Sequence, residues 1–502
     1  MAAAAQSARA AVKYQTFIGG RWVDAADGAT FESEDPFSGE KWALVPRCGA
    51  ADADHAVEAA YAAFVSGAWP ALTASARGQM LYHLGDLVLE QAEMLAEIEV
   101  RDNGKLMTEM LAQTRYLGQW FRYFGGLADK IEGSVIPIDK PDMLNFTRRE
   151  PLGVVAAIVP WNSPLLLMAW KTAPALAAGN TVVVKPSEFT SCSTLEFARI
   201  VERSGLPPGV FNVLTGFGTE VGEPMVTHPK VAKVAFTGGD ASGRRVYQSA
   251  AAHLKPVVME LGGKSPNIVF DDCVLDNAVN GAIGGIFAAS GQTCIAGSRL
   301  LVQDTMHDEF VERLVKAAGA AKLGNPRLET TQVGPITTRP QHKKVLDYIS
   351  IGKNEGAKVA LGGTVADVEG SNSGLFILPS IFTGVSNHMR IAQEEIFGPV
   401  LGIISFHDEE EAVAIANETN YGLAAGIWTG SIRRAVSVSA RLRAGTVWVN
   451  TYRAVSYMSP FGGYKNSGFG RENGRHSIDE YLQTKSVWIN AALGVPNPFS
   501  IR

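Results

Sequence analysis

Cysteine is scarce in this 502-residue chain, which holds only Cys48, Cys192, Cys273 and Cys294. No two form a Cys-x-x-Cys pair and none stands at zinc-ligand spacing from a histidine, so no metal site is expected. A disulfide framework is implausible at this size, and a reducing, cytoplasmic location is the expectation. Basic runs never exceed two residues, and 45 Lys and Arg face 50 Asp and Glu, a formal net charge of -5. That balance carries no footprint of a nucleic-acid partner. Long uninterrupted apolar runs are missing too. The best candidate, "GVVAAIVPWNSPLLLMAWKTAPALAAG" (153–179), is broken by Pro160, Asn162, Pro164 and Lys171, whereas a membrane span needs about 20 consecutive apolar residues. No membrane association is expected. Internal repeats and low-complexity linkers are absent, and the Ala-rich stretch before Tyr14 reads as a ragged tail.

What is present is regular alternation. Residues 153–260 run strand, helix, strand through "GVVAAIV", "NTVVVK", "VFNVLT", "KVAKVAFTG" and "KPVVMEL". Five apolar strands separated by helices predict a parallel, doubly wound α/β sheet, which binds ligands beyond the carboxyl ends of its strands. The alternation resumes after residue 265 with "NIVF", "RLLVQ", "KVALGG", "VLGIISF", "AAGIWTG" and "GTVWVN", a second α/β domain. At this length more than one core is expected. Residues 52–130 read as mostly helical. Residues 133–151 and 485–490 fit neither domain and read as extended arms, which usually find a partner for their edges.

Several positions can carry chemistry. "VVVKPSE" puts Lys185 and Glu188 at a strand end, where a carboxylate suits ribose hydroxyls and repels a 2′-phosphate; a solvated loop is the alternative. "FTGGDASG" puts Gly238 and Gly239 before a helix start, suited to pyrophosphate or simply to an N-cap by Asp240. "TGFGTEVG" has GxGxxxG spacing, one residue longer than a dinucleotide fingerprint, so a plain turn is as good a reading. "VMELGGKSP" ends a strand on Glu260, either a buried base or a carboxylate turned to solvent. Asn162, between two prolines, is a rigid amide donor for an oxyanion or a turn residue. Cys294, in "ASGQTCIAGSR", has Gly291, Gln292, Thr293 and Gly297 around it, which is no core pattern; a nucleophile is the sharper reading.

Together "VPWNSP", "KPSE", "FTGG", "MELGGKSP", "GQTC", "EEIFGP" and "PFGGYKNSGFGRE" stand in the order found in the aldehyde dehydrogenase superfamily, which the chain resembles from about Phe17 to Trp488. The resemblance implies oxidation of a small-molecule aldehyde to a carboxylic acid with NAD, leaving NADP use open. It implies a Rossmann-like coenzyme domain (1–131 and 152–263), a catalytic α/β domain (264–465) and a small β oligomerisation arm (132–151 and 480–502), assembled as a homodimer or homotetramer. Cys294 would be the nucleophile and Glu260 the base, with Asn162 and the Cys294 backbone N–H as oxyanion donors. Lys171 and Glu472 would relay protons. Lys185 and Glu188 would hold the adenosine ribose, Glu395 and Phe397 the nicotinamide ribose and ring, and Trp161, Gly238 and Gly239 would line the cleft. Gly239 departs from the Ser of many relatives, and Ser163 from an aromatic residue, which should enlarge the aldehyde pocket.

That pocket is expected to be mostly apolar, lined by Ser163, Leu166, Leu167, Trp170, Val455 and Phe461, with Tyr457 on the same loop as Val455. Arg453 is the one positive charge that the sequence places near its mouth, either solvated or paired with the carboxylate of a semialdehyde. Two rival functions are weaker. A cysteine hydrolase needs a His base, and no histidine lies in the motif set. A non-enzymatic member should have lost Cys294 or Glu260. Members of the family that use CoA in place of water lack the glutamate, so Glu260 favours hydrolysis.

Overall fold

The computed structural model describes residues 11–494 and 497–499. The tail expected before Tyr14 lies largely outside the described residues, as do 495, 496 and 500–502 of the arm. The main sheet has eight strands. Its parallel centre runs Val257–Glu260, Val231–Thr237, Val154–Ile158, Thr181–Lys185, Phe211–Val213 across the sheet. In chain order that is 5-4-1-2-3, so the winding reverses between Val154–Ile158 and Val231–Thr237. Helices cover both faces, which is why these strands read as unbroken apolar runs: all five residues of Thr181–Lys185 are buried. Thr16–Ile18 extends the sheet at one edge and Gly468–Phe469 at the other, both antiparallel.

The second sheet has seven strands. Six were expected from the sequence; Ser380–Thr383 was not, and it sits between Lys358–Leu361 and Val400–Phe406. The two arms pair with each other: Leu482–Asn490 lies antiparallel along the whole of Met143–Pro151, which also pairs with Val135–Ile136. Val135, Leu144, Trp488 and Ile489 remain exposed on this small sheet. No helix among the described residues is long and apolar enough to cross a membrane.

The helical layer is held by a close approach. Gly85 and Gly118 face each other where helices Ala74–Glu90 and Met107–Leu127 cross, as do Gly78 and Gly125. A Cβ on Gly85 would sit 2.7 Å from the Gly118 carbonyl oxygen, and one on Gly78 2.4 Å from that of Gly125. The two backbones therefore touch, and that contact sets where the second helix presents Gln113, Tyr116 and Trp120. Gly85→Leu is expected to cost about 1–3 kcal/mol by overpacking, seen as a lower thermal midpoint. Gly126→Ala, where the nearest atom is the Tyr82 hydroxyl at 3.4 Å, should leave the midpoint near wild type. Equal midpoints for all three proteins would contradict this packing account.

Candidate active site

Register brings the chemistry-bearing strand ends to one edge. Ile158 pairs with Lys185 and with Phe236, and Thr237 with Glu260. Beyond that edge, at the reversal of winding, opens a cavity of about 480 Å³. Trp161, Lys185, Glu188, Gly238 and Gly239 all line it. Lys185 is buried; its Nζ donates to the Pro186 carbonyl at 3.0 Å and lies 3.8 Å from the Glu188 carboxylate. Burial lowers its pKa, and the Glu188 charge opposes that.

At Gly238 a Cβ would lie 2.6 Å from the Phe236 ring, so glycine is required there; at Gly239 the space is open. Gly239, not Asp240, is the N-cap of helix Asp240–Ala252. The Asp240 carboxylate instead accepts from the Gly262 N–H at 3.2 Å and from the Tyr421 hydroxyl at 2.6 Å. Of the GxGxxxG turn, Gly218 and Gly222 line the same cavity. Glu395 and Phe397 are not on its wall. Phe397 packs edge-on against Trp161, ring centres 5.2 Å apart, and Glu395 accepts the Gly263 N–H at 3.0 Å. Burial raises the Glu395 carboxyl to about 7.

Cys294 lines a second cavity of about 320 Å³ with Asn162, Ser163, Leu166, Leu167 and Trp170 on one side and Arg453, Val455 and Phe461 on the other. The expected pocket residues are thus brought together, Tyr457 excepted, which packs against Tyr116, Trp120 and Tyr123. The expectation that Arg453 alone brings positive charge is wrong. Lys105 also lines the wall, buried, with its Nζ donating to Ser163 Oγ at 2.8 Å. The only hint was a lysine set between Gly104 and the apolar Leu106–Met107 in "DNGKLMTEM". Gln113, Tyr116, Trp120, Thr293 and Ile295 were missed as well. The first three come from helix Met107–Leu127, whose inward face no local motif announces.

The loop before Cys294 is held in an unusual backbone. Ala289, Ser290 and Gly291 are all left-handed, with φ of 53°, 52° and 70°, a conformation costing a non-glycine residue roughly 1–2 kcal/mol. Side chains hold it: Ser290 Oγ donates to the Gly334 carbonyl at 2.8 Å, and Glu109 accepts the Ala289 N–H at 2.9 Å. Asn162 Nδ2 donates to the Gln292 carbonyl at 3.1 Å, which leaves its second hydrogen for another acceptor. The backbone N–H groups of Cys294 and Ile295 face the sulfur and favour the thiolate. Burial and the charges of Glu395 and Glu260 outweigh them, and the thiol is pushed up to about 12.

Glu260 is buried, and neither carboxylate oxygen has a hydrogen-bond partner within the protein. The reading of a solvent-facing carboxylate therefore fails. Its pKa is raised well above the usual range, by burial first and by the Glu472 charge second, against the pull of Lys171 and Arg471. Lys171 donates to Glu472 Oε1 and, at 2.6 Å, to Thr237 Oγ1. Glu472 is tied by backbone hydrogen bonds in both directions to Phe461 on the second cavity's wall.

Residues 22–487 match the model of the aldehyde dehydrogenase family. The chain is 46% identical over 493 residues to the (Z)-2-((N-methylformamido)methylene)-5-hydroxybutyrolactone dehydrogenase of Acinetobacter baylyi, covering 98% of this chain and 100% of that one. It is 47% identical to an aldehyde dehydrogenase of Aspergillus niger, covering 95% and 96%. Among solved structures, betaine aldehyde dehydrogenase of Staphylococcus aureus in complex with NAD+ superposes with a TM-score of 0.96 at 39% identity, covering 98% of this chain and 97% of that one. A sequence in the family's motif order, a fold of this topology and matches over nearly the whole length agree, and the chain belongs to the aldehyde dehydrogenase family.

Proposed function

We infer that this chain oxidises an aldehyde to the carboxylic acid with NAD, by way of a covalent adduct on Cys294. The observation that carries the reading is a pair of cavities lined by the successive residues Trp161 and Asn162. One is a cleft at the sheet's reversal point with a buried ammonium and a carboxylate, Lys185 and Glu188. The other is an aldehyde-sized pocket ending on a cysteine beside an amide donor. The first fits a dinucleotide. Gly238 leaves no room for a side chain, and the start of helix Asp240–Ala252 offers free backbone N–H groups to a pyrophosphate. Glu188, 29% exposed beside Lys185, is placed to accept from ribose hydroxyls. Trp161 with Phe397, and Glu395 behind them, form the end nearer Cys294.

The Cys294 thiol must lose its proton before it attacks the formyl carbon. Glu260, whose charge the thiol senses, is the acceptor. Attack gives a thiohemiacetal oxyanion, for which Asn162 Nδ2 and the Cys294 backbone N–H are the donors; one such donor is worth about 10²–10³ in rate. NAD supplies the hydride acceptor that turns this adduct into a thioester. Glu260 then takes a proton from water as the water attacks the thioester, a contribution of about 10²–10⁴. Lys171 and Glu472 form the buried path by which that proton leaves. The sheet boundaries support the division into coenzyme (1–131 and 152–263), catalytic (264–465) and arm (132–151 and 480–502) parts. Exposed apolar side chains on the arm support a homodimer or homotetramer, and four free cysteines support a cytoplasmic location.

Cys294→Ala is expected to abolish NADH formation while NAD still binds, read by fluorescence titration; substantial turnover would remove the central claim. Glu260→Gln should slow deacylation more than acylation. Because the Glu260 pKa is raised, thioester hydrolysis in the wild type should climb with pH as the carboxyl loses its proton. In Glu260→Gln that climb should flatten across neutral pH. Rapid-mixing traces at several pH values separate the two steps, and an unchanged profile in the variant would assign the base elsewhere. NAD should be preferred over NADP, since Glu188 repels a 2′-phosphate, and Glu188→Ser should narrow the ratio of kcat/KM values. A wild-type ratio at or below one would overturn the placement of the ribose.

A further inference from the structure

The cavity in front of Cys294 is lined mostly by apolar side chains, and its only charged lining residues are cations. Lys105 and Arg453 line it, and no Asp or Glu does. Lys105 is 4% exposed, and its ammonium makes one hydrogen bond, to Ser163 Oγ. An ammonium has three hydrogens, and no ion pair joins this one to a carboxylate among the described residues. Glu109 and Glu99 act on it through their charges, without an ion pair. Glu99 Oε1 accepts the Leu165 N–H at 2.9 Å and Glu109 Oε1 the Ala289 N–H at 2.9 Å, and neither residue lines this cavity.

Burial brings the Lys105 pKa down to about 8; the Glu109 and Glu99 charges oppose that and the Arg453 charge adds to it. A second donor is unspent nearby: the buried Trp170 Nε1 has no hydrogen-bond partner within the protein. Arg453 is steadied from the side by a 3.3 Å hydrogen bond from Nη1 to the Gly284 carbonyl. A buried charge without a counter-charge is costly, and a pocket of unpaired donors favours the ligand that completes them. A charge-assisted hydrogen bond to a carboxylate is the strongest completion that a side-chain-sized ligand offers.

We propose that Lys105, anchored on Ser163, acts with Arg453 as a specificity pair selecting aldehydes that bear a carboxylate elsewhere in the molecule. The same pair turns away aldehydes bearing a quaternary ammonium. The apolar lining, with Leu166, Leu167, Trp120 and Phe461, takes the carbon chain between the two ends. This rests on the reading of Cys294 as the aldehyde-oxidising residue, and the test separates the two.

Wild-type kcat/KM is to be measured for 5-oxopentanoate, pentanal and betaine aldehyde with saturating NAD. 5-Oxopentanoate is expected to exceed pentanal by at least tenfold, and betaine aldehyde to fall below both. Lys105→Met should lose at least tenfold more on 5-oxopentanoate than on pentanal, and Lys105→Arg should retain more of the preference. Glutarate should compete with pentanal in the wild type, and the binding does not depend on whether any variant folds. Circular dichroism and NAD binding check the variants; if Lys105→Met is unfolded, the wild-type ratio and the glutarate competition decide. Oxidation of pentanal as good as that of 5-oxopentanoate, together with no competition by glutarate, overturns the inference and leaves aldehyde oxidation standing. So does an equal loss on both substrates in a folded Lys105→Met protein. No NADH from any aldehyde would instead sink the reading of Cys294, and this inference with it.

Discussion

Everything in the site hangs on how one residue, Gln292, is held. Its backbone carbonyl accepts from the Asn162 side-chain amide, its Oε1 accepts the Thr337 N–H at 2.9 Å, and its Nε2 donates to the Pro335 carbonyl at 3.3 Å. Asn162 belongs to the loop leaving the first sheet and Thr337 to a loop of the second part of the chain. One glutamine, two residues before the sulfur, therefore sets the spacing between Cys294 and its amide donor across the boundary between the two sheets. Three left-handed residues in a row before it would not persist without such fixing. The position of the Cys294 sulfur is thus fixed at the cost of backbone strain.

Electrostatics work in the opposite direction until substrate arrives. Cys294 and Glu260 both favour their protonated forms: burial raises both, the Glu395 and Glu260 charges add to it at Cys294, and the Glu472 charge adds to it at Glu260. The uncharged forms of the two groups are the stable ones. The Lys171–Glu472 ion pair is fully buried, and its two charges act on Glu260 in opposite directions. Neither group hydrogen-bonds to Glu260.

Much of this was legible in the sequence because it is written locally. Apolar runs bounded by turn residues mark buried parallel strands, and their last residues become the site's edge: Lys185, Thr237 and Glu260 could be placed before any coordinates. Cys294 was legible from its small polar neighbours, and the family's motif order supplied partners far apart in the chain. What stayed hidden depends on tertiary approach. Lys105 lies 58 residues from Ser163, in a segment whose own pattern says only that a helix follows. The glycine contacts between helices Ala74–Glu90 and Met107–Leu127 look like weak helix positions until the second helix is present. Ser380–Thr383 is four residues long, too short for its alternation to register. Asp240 resembled a cap because acids favour that position, but Tyr421, 181 residues away, and Gly262 claim its oxygens.

The ladder between Met143–Pro151 and Leu482–Asn490 joins residues far apart in the sequence, with Met143 paired to Asn490. On the ribosome, the earlier strand is complete long before the later one exists. For most of synthesis the edge that the later strand takes is open, because Val135–Ile136 pairs with the earlier strand's other edge. Such an edge is a template for mispairing, and closing it is a slow, non-local event. Conditions that stall or slow translation in the last part of the chain would thus expose this protein to aggregation more than any change in its active site could.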